Sequence, residues 1–193
     1  MDSQTNTLTR IGVGGQLNWL IGGALGGLGG AAIFGALLWL IDPTIVSEAI
    51  PTVYGFESGG PTGWAFHLAN GSFLGIVFAF LVTREPILGT LTADVETPLL
   101  DSIDPNGRII LSGIVYGILV WVLIPGVLFS ILMTVYEIST ILPWGSVFSL
   151  VGHLLYGALL GALVSVFIDL EREVSQADAP FEEASDPPAE QSE

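Results

Sequence analysis

The sequence contains no cysteine and no lysine among its 193 residues. Without cysteine the chain cannot form a disulfide, a zinc–thiolate site, an iron–sulfur cluster or a thiol nucleophile. The four basic residues are all arginines and stand against 19 acidic residues, which gives a formal net charge of −15. Because no basic patch is present, nucleic-acid binding is not expected.

Charge of either sign is scarce. Only 12% of the residues are charged and 51% are hydrophobic, with a mean hydropathy of +0.71, whereas soluble domains have about 25% charged residues. This composition predicts a membrane protein whose charges lie in loops and tails. An acid-rich surface without lysine is typical of a salt-rich cytoplasm, where screening removes self-repulsion. We therefore predict a halophile, and an archaeon, as the source; the alternative is a mesophilic protein with an acidic tail.

Four apolar segments are each long enough to cross a bilayer core, which requires about 20 helical residues. We predict an all-α polytopic membrane protein with four transmembrane helices, arranged as two tandem helical hairpins. No signal peptide is expected, because the first apolar run is too long for one. The predicted organisation is a cytoplasmic N-terminal tail (1–16), a first hairpin (17–83, with spans 17–41 and 63–83), a cytoplasmic connection (84–108), a second hairpin (109–168, with spans 109–133 and 146–168) and a disordered acidic cytoplasmic tail (169–193).

The arginines predict the orientation. With four spans, Arg10, Arg84, Arg108 and Arg172 all fall on one side of the membrane, and the other two connections carry no basic residue. By the positive-inside rule both termini are cytoplasmic. We expect a multi-pass protein of the cell membrane.

A short pattern, H-L-x-x-G-x-x-L-G, occurs once in each hairpin. In a helix its histidine and two glycines lie along one stripe, where another helix can approach closely. A second pair of similar segments, Phe34–Pro43 and Tyr116–Pro125, suggests that the hairpins are tandem copies related by a pseudo-twofold axis along the membrane normal. The two copies of the pattern begin at His67 and at His153.

Glycine is abundant in the predicted spans, as in glycine zippers. Small residues at this spacing favour close helix packing in lipid. The predicted packing positions are Gly22, Gly23, Gly26, Gly27, Gly30, Gly35, Gly71, Gly75, Gly117, Gly157 and Gly161. A homo-oligomer face on the first span is the functional alternative.

The two histidines are the candidate cofactor site. His67 and His153 could bind haem b axially, with nearby glycines making room for the macrocycle. They could instead take part in a proton relay, or serve only as hydrogen-bonding residues between helices. No metal site is expected, because two ligands are few and no acidic residue lies deep in a span. Pro125 and Gly126 are a hinge candidate, the alternative being a fixed kink.

No catalytic motif accompanies these features. The sequence has no phosphate-binding glycine loop with lysine, no G-x-S-x-G and no H-E-x-x-H, so no catalytic residues are assigned. The repeated pattern at His67 and His153 resembles the small four-helix membrane proteins of haloarchaea that have no assigned function. Some of those proteins are labelled histidine kinases, but residues 169–193 are too short and polar for an ATP-binding module.

Three functions stay open from the sequence. The first is a non-enzymatic packing or interaction subunit of a membrane assembly, in contact with the lipid bilayer and with a homo-oligomer or complex partner. The second is a b-type haem electron-transfer subunit that uses His67 and His153. The third is a small transporter or channel formed between the repeats, as a dimer.

Overall fold

The computed structural model describes residues 18–92, 103–128, 130–131 and 147–168, and every regular element in these ranges is helical. Four of the helices are long and apolar enough to cross a membrane, which confirms the all-α four-helix class. The elements are α1 (Asn18–Ile41), a π-helical turn (Ile45–Ala49), α2 (Ile50–Val53), α3 (Gly60–Val82), α4 (Glu85–Thr92), α5 (Pro105–Trp121), a π-helical segment (Val122–Leu128) and α6 (Val147–Phe167). The predicted tails 1–16 and 169–193 lie outside the described residues, as do residues 132–133 of the third predicted span.

The connection after α1, and the described part of the connection after α3, both contain helix. After α1, the residues Ile45, Val46 and Ile50 are buried, because their spacing puts them on one helical face against the bundle. The connection after α3 includes α4.

Two of the long helices begin earlier than predicted. α3 begins at Gly60 and α5 at Pro105, where the sequence predicted starts at 63 and 109. Each carries a proline in its first turn. A proline fits there because the first amide groups of a helix have no intrahelical partner anyway.

The helices of each hairpin run antiparallel and touch through glycine. In the first hairpin, a Cβ atom added at Gly27 would overlap the backbone of Gly71. In the second, a Cβ atom added at Gly113 would overlap the backbone of Gly157. At both places the backbones are in direct contact, an approach that only glycine allows.

The contacts of the two hairpins correspond at a constant displacement of 86 residues (27 to 113, 71 to 157). The similar segments Phe34–Pro43 and Tyr116–Pro125 are instead separated by 82 residues (34 to 116). This separation is four residues, or about one helical turn, shorter than the separation of the packing contacts. Glycines that recur every four residues explain the mismatch, since a shift of one turn keeps the same helix face.

A third glycine contact joins the hairpins through α1 and α6. The stripe of Gly22, Gly26 and Gly30 lies against Phe167, Leu160 and Tyr156 of α6. Both small-residue stripes of α1 are therefore occupied within the chain, one by α3 and the other by α6. The oligomer face expected on the first span would have to use other residues of α1, and it stays a prediction.

The third long helix continues through Pro125 as a π-helical segment of seven residues. Proline has no amide hydrogen and its ring clashes with the preceding turn, and a widened turn accommodates both defects. Pro125 is buried, whereas Gly126 is exposed, and a Cβ atom added there would make only an ordinary contact with the carbonyl of Trp121. A hinge at this segment stays a prediction.

The remaining two neighbouring long helices are α3 and α5. They are in far less close contact than the pairs α1/α3, α1/α6 and α5/α6. Large side chains separate these helices. Phe78 packs against Tyr116 with ring centroids 5.2 Å apart, and the hydroxyl of Tyr116 donates a hydrogen bond to the carbonyl of Leu74 at 2.8 Å. Buried residues fill the bundle at the end where Arg84 and Arg108 lie, among them Phe78, Ile109, Leu160 and Val164.

The contact between α5 and α6 makes the first testable prediction. Replacing Gly157 by alanine places a methyl group against the backbone of Gly113. We expect the free energy of unfolding to fall by about 1–3 kcal/mol, the usual cost of overpacking, as measured by denaturation in mixed micelles followed by tryptophan fluorescence.

Gly89→Ala is the matched control, because a Cβ atom there meets no other atom within 4 Å. That variant should be neutral or gain up to about 1 kcal/mol from helix propensity. Equal destabilisation by both substitutions would contradict the packing assignment.

Candidate functional site

A cavity of about 420 Å³ lies between the hairpins at the end of the bundle remote from Arg84 and Arg108. All four long helices contribute to its wall, and it lies at the level where α3 and α5 lack a glycine contact. Pockets that hold small molecules typically measure about 300–1,000 Å³. The cavity is thus large enough for a ligand.

The connection after α1 covers one end of the cavity. Ile45 and Ile50 line it and are themselves buried. Tyr54 stacks on Phe66 at a centroid distance of 4.4 Å, and its hydroxyl accepts a hydrogen bond from the side-chain amide of Asn70 at 2.6 Å. These contacts hold Tyr54 over the end of α3.

Asp42 lies at this covered end and lines the cavity. One of its carboxylate oxygens accepts two hydrogen bonds from Thr44, from the hydroxyl at 2.6 Å and from the backbone amide at 3.0 Å. The same two bonds lower the pKa of Asp42 from its ordinary value. Because these bonds favour the charged form, the carboxylate is ionised at neutral pH.

Both histidines line the cavity. His67 lies about 10 Å along α3 from the first residue of that helix, near the covered end. Its Nε2 donates a hydrogen bond to the carbonyl of Ala31 on α1 at 2.9 Å. The Nδ1 atom of His153 instead donates to the carbonyl of Ser149, one turn earlier on α6, at 2.7 Å.

The two histidines therefore occupy equivalent positions in their hairpins but make different bonds. In each case the acceptor is a backbone carbonyl, so the bonded ring nitrogen must carry the hydrogen. A charged imidazole would be costly in this apolar setting. The neutral rings leave Nδ1 of His67 and Nε2 of His153 as acceptors.

Phe34 of α1 stands between the two imidazoles. Its ring makes edge-to-face contacts with His67 at a centroid distance of 5.8 Å and with His153 at 4.8 Å. The ring is seated on Gly152, where a Cβ atom would overlap it. Only a glycine at this position of α6 lets Phe34 reach across the bundle.

This arrangement does not fit haem bound axially by the two histidines. Axial ligation requires a nitrogen of each ring to face the iron from opposite sides of the macrocycle. The ring of Phe34 occupies the space between the imidazoles, and Nε2 of His67 is already bonded to Ala31. Within the described ranges, no group of three or more metal-ligating side chains is placed to hold a metal ion.

Tyr156 closes the inner end of the cavity. It is buried, lines the cavity, and donates a hydrogen bond from its hydroxyl to the carbonyl of Gly71 at 2.8 Å, joining α6 to α3. A hydroxyl within an apolar span must find such a partner. Asn70 lies in the first copy of the histidine pattern and Tyr156 in the second. Because a polar side chain within an apolar span needs a hydrogen-bond partner, both residues could have been identified from the sequence as members of the site.

The structure thus brings part of the predicted site together. His67, His153, Gly71 and Pro125 line the cavity. The other predicted glycines lie in the helix contacts described above, where Gly35 packs against His67 and Gly117 against the carbonyl of His153. Sequence reasoning missed Phe34, Asp42, Asn70 and Tyr156.

Comparison with known proteins gives no relative. No protein-family model, no curated protein and no solved structure matches this chain. The function therefore has to be argued from the geometry of the chain itself.

The position of Phe34 makes a spectroscopic prediction. Protein purified from its native membrane should show no haem Soret band, oxidised or reduced, because Phe34 holds the two histidines apart. The measurement is an absorption spectrum of a preparation never stripped of cofactor. A Soret band that disappears in the His67→Ala/His153→Ala double variant would contradict this reading of the site.

Proposed function

We propose that this chain is a non-enzymatic integral membrane protein that binds a small, largely apolar molecule in the cavity between its two hairpins. The observation that carries the proposal is the cavity itself, about 420 Å³ in volume and walled by all four long helices. Protein interiors are normally close-packed, with few voids larger than a water molecule. A space of this size inside a small helical bundle calls for an occupant.

The chemistry of the wall supports this assignment. Most lining residues are apolar, and a few are polar, among them His67, Asn70 and His153. Small-molecule sites usually combine an apolar wall with a few polar groups that orient the ligand. The ring contacts of Phe34 and Tyr54 hold these two lining side chains in place.

We place the cavity in the outer half of the bilayer. Arg84 follows the last residue of α3, and Arg108 lies in the first turn of α5. The guanidinium of Arg108 donates to the carbonyl of Leu91 at the end of α4, so the arginines flank one end of the bundle. By the positive-inside rule that end and both termini are cytoplasmic.

The remaining expectations from the sequence stay proposals of the same kind. The acidic, lysine-free composition supports a halophilic source and membership among the small haloarchaeal four-helix proteins. The equal displacement of the glycine contacts supports a tandem duplication. A homo-oligomer or a membrane-complex partner would have to use surfaces other than the small-residue stripes of α1.

Transport through the bundle is the less supported alternative. The cavity ends at Tyr156 and Leu74, whose carbonyl accepts the bond from Tyr116. Beyond this point Phe78 and other buried residues fill the interior. A substrate could cross only if these contacts opened.

Blocking the cavity tests the proposal. The purified protein in lipid nanodiscs would be labelled with a dodecanol that carries a photoreactive diazirine in its chain, and labelled residues would be identified by mass spectrometry. We expect saturable labelling of cavity residues such as Leu74 and Phe148. Ile124→Trp should weaken it strongly, because the larger side chain of this lining residue takes up part of the cavity.

Leu123→Trp is the matched control. Leu123 is the neighbouring residue, is 49% exposed and does not line the cavity. This variant should keep the saturable labelling. Labelling that does not saturate, or that both variants lose equally, would overturn the proposal.

A further inference from the structure

We infer that the ligand of this cavity is an amphipathic molecule with an N–H or O–H donor at its polar end and no negative charge. The inference rests on the proposed function, since it specifies the ligand of the same cavity. It comes from the hydrogen-bonding groups and the charge along the wall, taken one by one.

His153 offers an acceptor to the cavity. Its Nδ1 hydrogen is committed to the carbonyl of Ser149, so Nε2 has a lone pair and no hydrogen. A ligand hydroxyl or amine can donate to that atom, whereas an ether, ester or carbonyl group cannot. In the same way, Nδ1 of His67 is an acceptor, because the hydrogen of that ring is on Nε2 and is donated to the carbonyl of Ala31.

Asn70 and Asp42 add further acceptors to the wall of the cavity. The amide nitrogen of Asn70 donates to the hydroxyl of Tyr54, which leaves its Oδ1 as an acceptor. The ionised carboxylate of Asp42 can only accept. The hydroxyl hydrogen of Tyr54 and the second amide hydrogen of Asn70 are also available as donors. Acceptors are nevertheless more numerous on the wall, so a ligand that supplies hydrogens is favoured.

Charge at the site points in the same direction. Among the described residues that line the cavity, Asp42 carries the only formal charge. The two described arginines, Arg84 and Arg108, lie at the opposite end of the bundle. A carboxylate or phosphate on the ligand would find no cation to pair with among these residues, a costly arrangement in an apolar site.

The rest of the ligand must be apolar. Apolar side chains such as Leu38, Leu74 and Ile124 form most of the rest of the wall, and they offer no hydrogen bond. A long-chain alcohol and a long-chain amine share the required chemistry. Asp42 distinguishes them, because an ammonium group gains from a carboxylate far more than a hydroxyl does.

A competition series tests the inference with the photolabelling assay in nanodiscs. Four unlabelled competitors share one twelve-carbon chain and differ only in their head groups: dodecanol, dodecylamine, dodecyl methyl ether and laurate. We expect dodecanol, dodecylamine or both to compete at least about fivefold better than the ether, the effect of one hydrogen bond. Laurate should be the weakest competitor.

Two variants assign the head-group preference to residues. His153→Leu removes the acceptor and should erase the advantage of the donor-bearing competitors over the ether, while saturable labelling persists. His153→Gln, which keeps an acceptor oxygen, should retain part of it. Asp42→Asn should weaken dodecylamine and leave dodecanol unchanged, which separates an ammonium ligand from an alcohol.

The outcomes separate the two proposals. If the ether or laurate competes as well as the alcohol and the amine, or if His153→Leu leaves the preference intact, the inference fails while saturable labelling still supports a binding cavity. If labelling does not saturate, both proposals fail together. A donor preference that depends on His153 supports the inference.

Discussion

Direct contact between helix backbones is the constraint on which the rest of this structure depends. At Gly27 against Gly71 and at Gly113 against Gly157 no side chain separates the helices. In lipid the hydrophobic effect does not draw helices together, so stability must come from van der Waals packing at such short range. A methyl group added at these positions would clash with the backbone of the neighbouring helix, which cannot move aside as a flexible side chain could.

The cavity follows from the one pair of neighbouring long helices that, over the described residues, lacks a glycine contact. Three glycine contacts link α3 to α1, α1 to α6, and α6 to α5, while α3 and α5 are separated by Tyr116 and Phe78. At the arginine end these side chains and their neighbours fill the gap, and at the histidine end the gap remains open. Tyr156 marks the boundary through its bond to Gly71.

Phe34 breaks the symmetry of the two hairpins. His67 and His153 occupy corresponding positions, yet the ring of Phe34 contacts both and belongs to only one hairpin. One imidazole bonds across to α1 and the other bonds back to its own helix. The polar groups that line the cavity are consequently arranged asymmetrically. Such an arrangement suits a ligand with one head group and one apolar chain better than a symmetric group shared between the two histidines.

The sequence by itself determined the all-α class and the four apolar helices, because span length and hydropathy depend only on local composition. It also pointed to the glycines that meet between helices, since small residues at intervals of four share a face. Only the tertiary structure decided which helix each face meets, that Phe34 enters the space between the histidines, and that Asp42 and Asn70 join them at one cavity. Those outcomes depend on the relative placement of helices distant in sequence, which no local pattern encodes, and the four-residue period of the glycines left even the register ambiguous by one turn.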